Sequence, residues 1–448
     1  MRCELADTLG ELEEQLEEAI EALMELDVFL AVDAFIDQAD EGGTGAVDVH
    51  LTLKEQGQLG LNIATYAQGQ GGSIEGTIKL KNSLGRAEHL ALKYERGSNH
   101  HTEVVLSLGR SRILGTDMSL DLDLYRQNLQ SAQQSSSFSL QSTGTTANLQ
   151  SHDGFHTFTY DLGWLHIYDP SNNASKAVRQ QLGWKLKSAL KYAFQYSTFP
   201  SIQYPTSGFG VRATQEVAGI GPGSALLKYI KSEIKAAKVL YLGGGCVLSL
   251  DAEAGFITPW GPGARSQPVP ITERFRMFGS GSTGVMRGFR EQGIGPVERR
   301  RCRVNQDDEA SNAGASGDVS KSENNPAEGS VLRPSDLDYV GADLMCAATA
   351  ALRFPLPWEP LRQAGLYGHV FTNVGSVALL GGSSQSLGSS LRNFPRSFRW
   401  TSGAGVVWPC PVGLLEVNMC RVHSRQQHDH GKTGFSFGFR PYLWSASG

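Results

Sequence analysis

Three places in the chain show the residue types and spacing of known chemistries, and each has surroundings that argue against the chemistry. Gly279-Ser-Gly281-Ser-Thr-Gly284 satisfies the GxGxxG pattern that cradles a dinucleotide pyrophosphate. That use requires an apolar strand before the loop and a helix after it. Here the charged run Thr272-Glu-Arg-Phe-Arg-Met-Phe278 precedes it, and Val285-Met-Arg-Gly-Phe289 follows with Pro296 close behind. Ser188 and Lys191 have SxxK spacing, but both fall inside an alternating, strand-like run. His423, His428 and His430 beside Asp429 could offer metal ligands, yet a solvated turn accounts better for histidines without cysteine partners. No Ser/His/Asp set and no paired carboxylates stand out. The expectation is a protein that is not an enzyme and holds no cofactor or metal.

A fourth place has a different character. Phe278-Gly279, then Val285-Met286-Arg287-Gly288-Phe289-Arg290, then Gly293-Ile-Gly-Pro296 lie in a connection spanning 261–337. Ordered loops are seldom a third of that length, and a long free loop pays a growing closure entropy. Its tip would wander unless held. Arg287 supplies a charge that needs a hydrogen-bonded partner when desolvated. Gly288 permits close backbone approach, and Phe289 supplies an aromatic face to pack.

The elements around this loop alternate apolar and polar residues for longer than soluble strands usually do. In Met118-Ser-Leu-Asp-Leu-Asp-Leu-Tyr125, Leu120, Leu122 and Leu124 share one face and Asp121 and Asp123 the other. Leu90/Leu92/Tyr94 against Lys93/Glu95 repeats the pattern, as does Trp184/Leu186/Leu190 against Lys185/Lys187/Lys191. Runs near ten residues, oily on one side and wet on the other, fit strands crossing a bilayer around a polar lumen. Candidate strands fall near 59–67, 73–81, 88–96, 101–110, 116–127, 136–150, 155–168, 181–199, 207–219, 226–240, 246–257, 340–354, 364–377, 397–408, 412–423 and 433–443. The stretch 226–240 also reads as a helix, and the even strand count decides for strand. The expected fold is an all-β membrane protein, a 16-stranded antiparallel transmembrane β-barrel over 58–443.

Leu5, Leu9, Leu12, Leu16, Ile20 and Leu23 form a helical stripe, followed by strand-like runs at 28–36 and 47–54. Residues 1–57 thus form a small α+β unit. The first residues lack the basic-then-apolar pattern of a secretory signal. Within the long connection, about 298–336 is a low-complexity insertion rich in Ser, Asn and Gly with no periodicity. A net charge of −5 argues against a nucleic-acid binder. Six cysteines without a CxxC pair read as free thiols.

The loop motif at Met286-Arg287-Gly288-Phe289 closely resembles the (V/I)RGF/Y motif of the outer-membrane β-barrel assembly superfamily, the bacterial surface antigen family. Asn82-Ser-Leu-Gly-Arg-Ala-Glu-His89, Tyr94-Glu-Arg-Gly-Ser98, Leu186-Lys-Ser-Ala-Leu190 and Gly368-His-Val-Phe-Thr-Asn-Val-Gly375 resemble its mitochondrial branch, the barrel subunits of the sorting and assembly machinery. The resemblance runs through almost the whole chain. It implies that 1–57 is a partial polypeptide-transport-associated (POTRA) domain lacking its first strand. It also implies that Arg287 projects into the lumen toward an acidic residue of a neighbouring strand. The matching positions hold Asn373 and Arg353, which leaves Asp343 as the expected carboxylate partner.

By the same resemblance, the chain is expected to be the core insertase of the mitochondrial outer membrane, with the plastid outer envelope as the alternative location. It would take β-barrel precursor polypeptides, work with accessory subunits, and sit in outer-membrane lipid. Clients would fold at a lateral seam between the first and last strands. Gly57, Gly60 and Leu61 mark one edge; Gly434, Phe437 and Phe439 mark the other, with Pro441 unable to donate to a ladder. Lys432-Thr-Gly434-Phe-Ser-Phe437-Gly-Phe439 also fits the spacing of the family's targeting signals. A protein import or secretion channel of the same superfamily, or a passive metabolite pore, are the rival expectations.

Overall fold

The computed structural model describes residues 8–38, 47–68, 71–97, 101–113, 116–129, 136–169, 172–201, 205–221, 223, 226–261, 268–277, 286–290, 293–301, 336–380, 392, 394–410 and 413–440. In the N-terminal unit, α1 (Leu9–Met24) precedes an antiparallel hairpin of β1 (Phe29–Gln38) and β2 (Val47–Glu55). The Thr8 hydroxyl caps the helix by accepting the Glu11 amide at 3.3 Å, and Leu12 and Leu16 are buried where α1 meets β1. Asp27, at the helix-to-hairpin turn, reaches the barrel: its carboxylate lies 3.2 Å from Lys79 Nζ and 2.7 Å from Lys81 Nζ. Burial pushes this carboxyl up, but the two ammonium groups outweigh it and hold it below the usual carboxylate range.

Sixteen further strands form one antiparallel sheet. The first eleven are β3 (Leu59–Gln68), β4 (Gly71–Lys81), β5 (Glu88–Gly97), β6 (Thr102–Arg110), β7 (Met118–Leu129), β8 (Ser139–Ser151), β9 (His156–Tyr168), β10 (Gly183–Ser197), β11 (Gly208–Ala218), β12 (Tyr229–Gly243) and β13 (Cys246–Pro259). The long connection contributes its own short ladder, β14 (Val297–Arg299) with β15 (Leu337–Tyr339). The barrel resumes with β16 (Leu344–Pro355), β17 (Tyr367–Ala378), β18 (Arg399–Cys410), β19 (Gly413–Ser424) and β20 (Gly434–Arg440). Each barrel strand pairs with its neighbours in chain order, β13 pairing directly with β16. Among the described residues the ladders run from β3 to β20, and none joins β20 back to β3. No described helix is long and apolar enough to cross a membrane.

The alternation read from sequence sets the facing. On β7, Leu122 and Leu124 are 44% and 54% exposed on the outside. On the lumen side, Asp123 accepts hydrogen bonds from Thr146 and Asn148, each at 3.1 Å, and Asp121 lies 3.3 Å from His89. The ambiguous stretch 226–240 is strand: β12 carries Lys231, Glu233 and Lys235 inward, with ion pairs Lys231–Glu233 (3.1 Å) and Lys235–Glu253 (3.5 Å), while Ile234 is exposed outside.

The proposed boundaries of the low-complexity insertion need correction. Its expected ends at 298 and 336 are structured and packed. Glu298 accepts the Ala177 amide at 2.8 Å at the start of the short helix α2 (Lys176–Arg179). Arg300 pairs at 2.8 Å with Asp338, a fully buried carboxylate that also accepts from Ser137 and Ser175. Three-residue strands carry no periodicity, so sequence pattern could not separate these roots from the segment between them.

Candidate functional site at the loop tip

The two limbs of the long connection enter the lumen together. Phe275 and Ala342 exchange backbone hydrogen bonds of 2.9 and 2.8 Å. Lys187 of β10 holds the descending limb from the wall, its Nζ 3.4 Å from Glu273 and 3.1 Å from Glu216. Met277, Met286 and Phe289 are buried almost completely within the lumen's apolar cluster. Residues 278–285, including the GxGxxG run, lie outside the described residues.

At the tip, Arg287 donates two parallel hydrogen bonds to one carboxylate. Nε reaches Glu416 Oε2 at 2.7 Å and one terminal nitrogen reaches Oε1 at 2.8 Å. Both side chains are about 5% exposed. The guanidinium carbon also sits 4.7 Å from the Phe371 ring centroid. Glu416 is held in turn: Asn418 Nδ2 donates to Oε2 at 2.9 Å, and Asn418 Oδ1 lies 2.6 Å from His369 Nε2. A planar fork meeting a planar carboxylate in a dry site fixes orientation as well as position.

Gly288 explains itself by geometry. Its φ is +86°, and a Cβ there would lie 3.1 Å from Cys420 Cβ. The wall has a matching gap at Gly375, where a Cβ would meet Met277 Cε at 2.9 Å and Met286 Sδ at 3.0 Å. Beyond the side chains, the tip pairs as backbone with the turn between β19 and β20. Lys432 N donates to Gly288 O at 2.7 Å, Arg290 N to His430 O at 2.9 Å, and His430 N to Gly293 O at 2.9 Å. A second buried fork secures that turn: Arg399 of β18 donates to Asp429 at 2.8 and 3.0 Å.

The structure therefore corrects the expected partner. Asp343 is not paired with Arg287; it lies 3.3 Å from Arg274 and accepts the Leu380 amide at 3.1 Å. It belongs to the root of the loop, at the start of β16, and the tip has crossed to β19. Asn373 does line the tip's seat. It lies between Phe371, which faces Arg287, and Gly375, which faces Met286, and it opposes Thr401, whose methyl approaches Gly288. Asn373 is fully buried, and its amide makes no hydrogen bond among the described residues. Arg353 is elsewhere, donating to Pro205 O at 2.5 Å. Glu416 had a legible signal: with Asn418 and Cys420 it forms the inward face of β19, alternating with Val417 and Met419.

The other candidates do not converge. Ser188 and Lys191 are an odd number apart on β10, so they point to opposite faces. His423 stacks outside on Trp400, whereas His428 and His430 contribute backbone atoms to the loop's seat. Among the described residues, Glu95, His101 and Glu103 bring ligand atoms within 4.8 Å of one another, but Lys93 already lies 3.5 Å from Glu95 and 3.9 Å from Glu103. Of the seam residues, Leu61 and Phe437 are 69% and 65% exposed, and Gly434 has φ +125°. Gly60 sits in β3 against Lys79, Gly57 precedes it in open space, and Phe439 lies in β20 opposite Leu415. Pro441 is outside the described residues.

Residues 82–439 match the Omp85 superfamily domain. The chain is 26% identical over 449 residues to the sorting and assembly machinery component 50 homolog of Homo sapiens, covering 97% of this chain and 85% of that one. It is 25% identical over 437 residues to a SAM50-like protein of Schizosaccharomyces pombe, covering 94% and 80%. In structure it is similar to BamA from Haemophilus ducreyi lacking POTRA domains 1–3, with a TM-score of 0.72, 17% identity, and coverage of 97% and 80%.

Proposed function

The chain belongs to the Omp85 superfamily, and we propose that it is the core insertase of the mitochondrial outer membrane, accepting β-barrel precursors and releasing them laterally between β3 and β20. The observation that carries this reading is the pair of sheet edges left without a mutual ladder among the described residues. Unpaired backbone groups facing lipid are costly, so each edge favours a strand supplied from outside. The outward residues of β20, Phe435 and Phe437, are 72% and 65% exposed, ready to meet lipid or a client strand.

The pinned loop supports the same reading. Glu416, which holds Arg287, stands in the ladder opposite Gly438 of β20. The loop is thereby tied to the strand next to the edge that must open. Insertion of this kind makes and breaks hydrogen bonds only. The N-terminal hairpin fits the end of a POTRA domain, and accessory subunits would complete the machine.

Depleting the protein and following other outer-membrane barrels tests this. Loss of their assembly is the expected result. Normal assembly with impaired small-molecule flux would favour a passive pore, and a defect confined to import of non-barrel proteins would favour a translocation channel.

A further inference from the structure

On β19 the inward face carries Glu416, Asn418, Cys420 and Val422, and the outward face runs Val417 (49% exposed), Met419 (61%), Arg421 and His423. An arginine on the lipid side is expensive at the membrane centre and nearly free at the interface. Arg421 stands three residues before the strand's end at Ser424, on the side of the barrel where the loop tip docks. Its ladder partner is Ser402 of β18. Next to it, the His423 ring stacks on Trp400 at 4.3 Å, and its Nε2 lies 2.7 Å from Ser402 Oγ. Trp400 is itself fixed, donating from Nε1 to Thr372 Oγ1 at 2.8 Å. A half-exposed tryptophan of this kind marks the headgroup level.

Charge at this rim is one-sided. Among the described residues no hydrogen bond or ion pair engages the Arg421 guanidinium. Arg425 and Lys432, on the following turn, are exposed. The turn's one carboxylate, Asp429, is buried and spent on Arg399. Among the described residues Arg421 thus stands without a carboxylate partner beside a fixed aromatic platform of Trp400 and His423, and a tryptophan so placed belongs at the headgroup level.

We propose that the outer face of β18 and β19 at this rim binds the headgroup of an anionic phospholipid, with Arg421 as its charge partner and His423, set by Trp400 and Ser402, contributing a hydrogen bond. This rests on the reading of the chain as a membrane barrel, but not on its clients. The site lies one strand from the edge at β20, so the bound lipid would be a permanent neighbour of the seam.

The test is native mass spectrometry of the full chain, purified in detergent and offered equal amounts of phosphatidylinositol and phosphatidylcholine. Wild type should retain phosphatidylinositol preferentially. Arg421→Gln should lower that retention about fivefold, the usual worth of one interfacial basic residue. Arg421→Lys should keep most of it. Lys238→Gln removes an outward cation next to Phe209 far from this rim, and should leave it unchanged. Heat-modifiable migration of each variant reports that the barrel is folded. No preference in wild type, full retention in folded Arg421→Gln, or an equal loss in Lys238→Gln would overturn the proposal. Because no client is present, such a failure leaves the insertase reading standing, which the depletion experiment decides separately.

Discussion

Glu416 joins two parts of the molecule at one position: its carboxylate holds Arg287 at 2.7 and 2.8 Å, and its backbone stands opposite Gly438 in the last ladder. A change in the seating of the long loop therefore acts on the strand that borders the seam.

Removing either partner strands a buried charge. In comparable buried pairs this costs about 3–5 kcal/mol, so Arg287→Ala and Glu416→Ala should each release the tip. Arg287→Lys keeps the charge but loses the fork and should be intermediate. Hydrogen exchange over 286–295 is the readout. Unchanged protection in both alanine variants would show that the backbone bridge to Gly431 alone seats the loop.

Two glycines should differ in their tolerance. Gly288→Ala puts a Cβ against Cys420 at a positive φ and should cost about 1–3 kcal/mol. Gly375→Ala meets only the flexible ends of Met277 and Met286, which can shift. Thermal unfolding followed by gel migration should rank Gly288→Ala as the worse; the opposite ranking would mean the tip is looser than its contacts indicate.

Facing is directly measurable by thiol labelling. Leu122→Cys should react with lipid-soluble reagents and Asp123→Cys with water-soluble ones entering the lumen. Water access to Leu122→Cys would put the register of β7 out by one residue.

Deleting 302–335 should leave client assembly intact, while extending the deletion to 298–336 should impair it. The longer cut removes Arg300 from Asp338 and Glu298 from the Ala177 amide. Equal effects would mean these roots hold nothing that assembly needs.

The joint between the N-terminal unit and the barrel should weaken in acid. The Asp27 carboxyl sits below its ordinary value, so its contribution is present above about 3.8 and lost as pH falls through the depressed value. The pair is half exposed and salt-screened, so the effect is modest. Asp27→Asn at neutral pH should mimic it as faster proteolysis at the turn before β1. A rate equal to wild type would show that His152–Glu25 and backbone contacts carry the joint.

The barrel was legible because lipid and lumen impose opposite chemistry on successive residues, as at Leu122 and Asp123. The tip residues were legible too, since Arg287, Gly288 and Phe289 each have a physical reason to be there. The partner was not. Asp343 is near the motif along the sheet order, but a loop that crosses a lumen can reach any strand, and sequence carries no record of that distance. Glu416 could have been ranked by its inward position on β19, where it is the strand's one carboxylate. The roots of the insertion were missed because β14 and β15 are too short to show a period.

The seat of the loop is made late. Arg287 lies 129 residues before Glu416, and the tip's backbone partners, from His430 to Lys432, come later still. A chain still arriving from its N-terminus has the tip long before it has anywhere to put it. Contacts of such separation form only after the intervening segments are in place. Docking of the loop is thus a built-in report of completion: a barrel missing its last hairpin keeps Arg287 undocked.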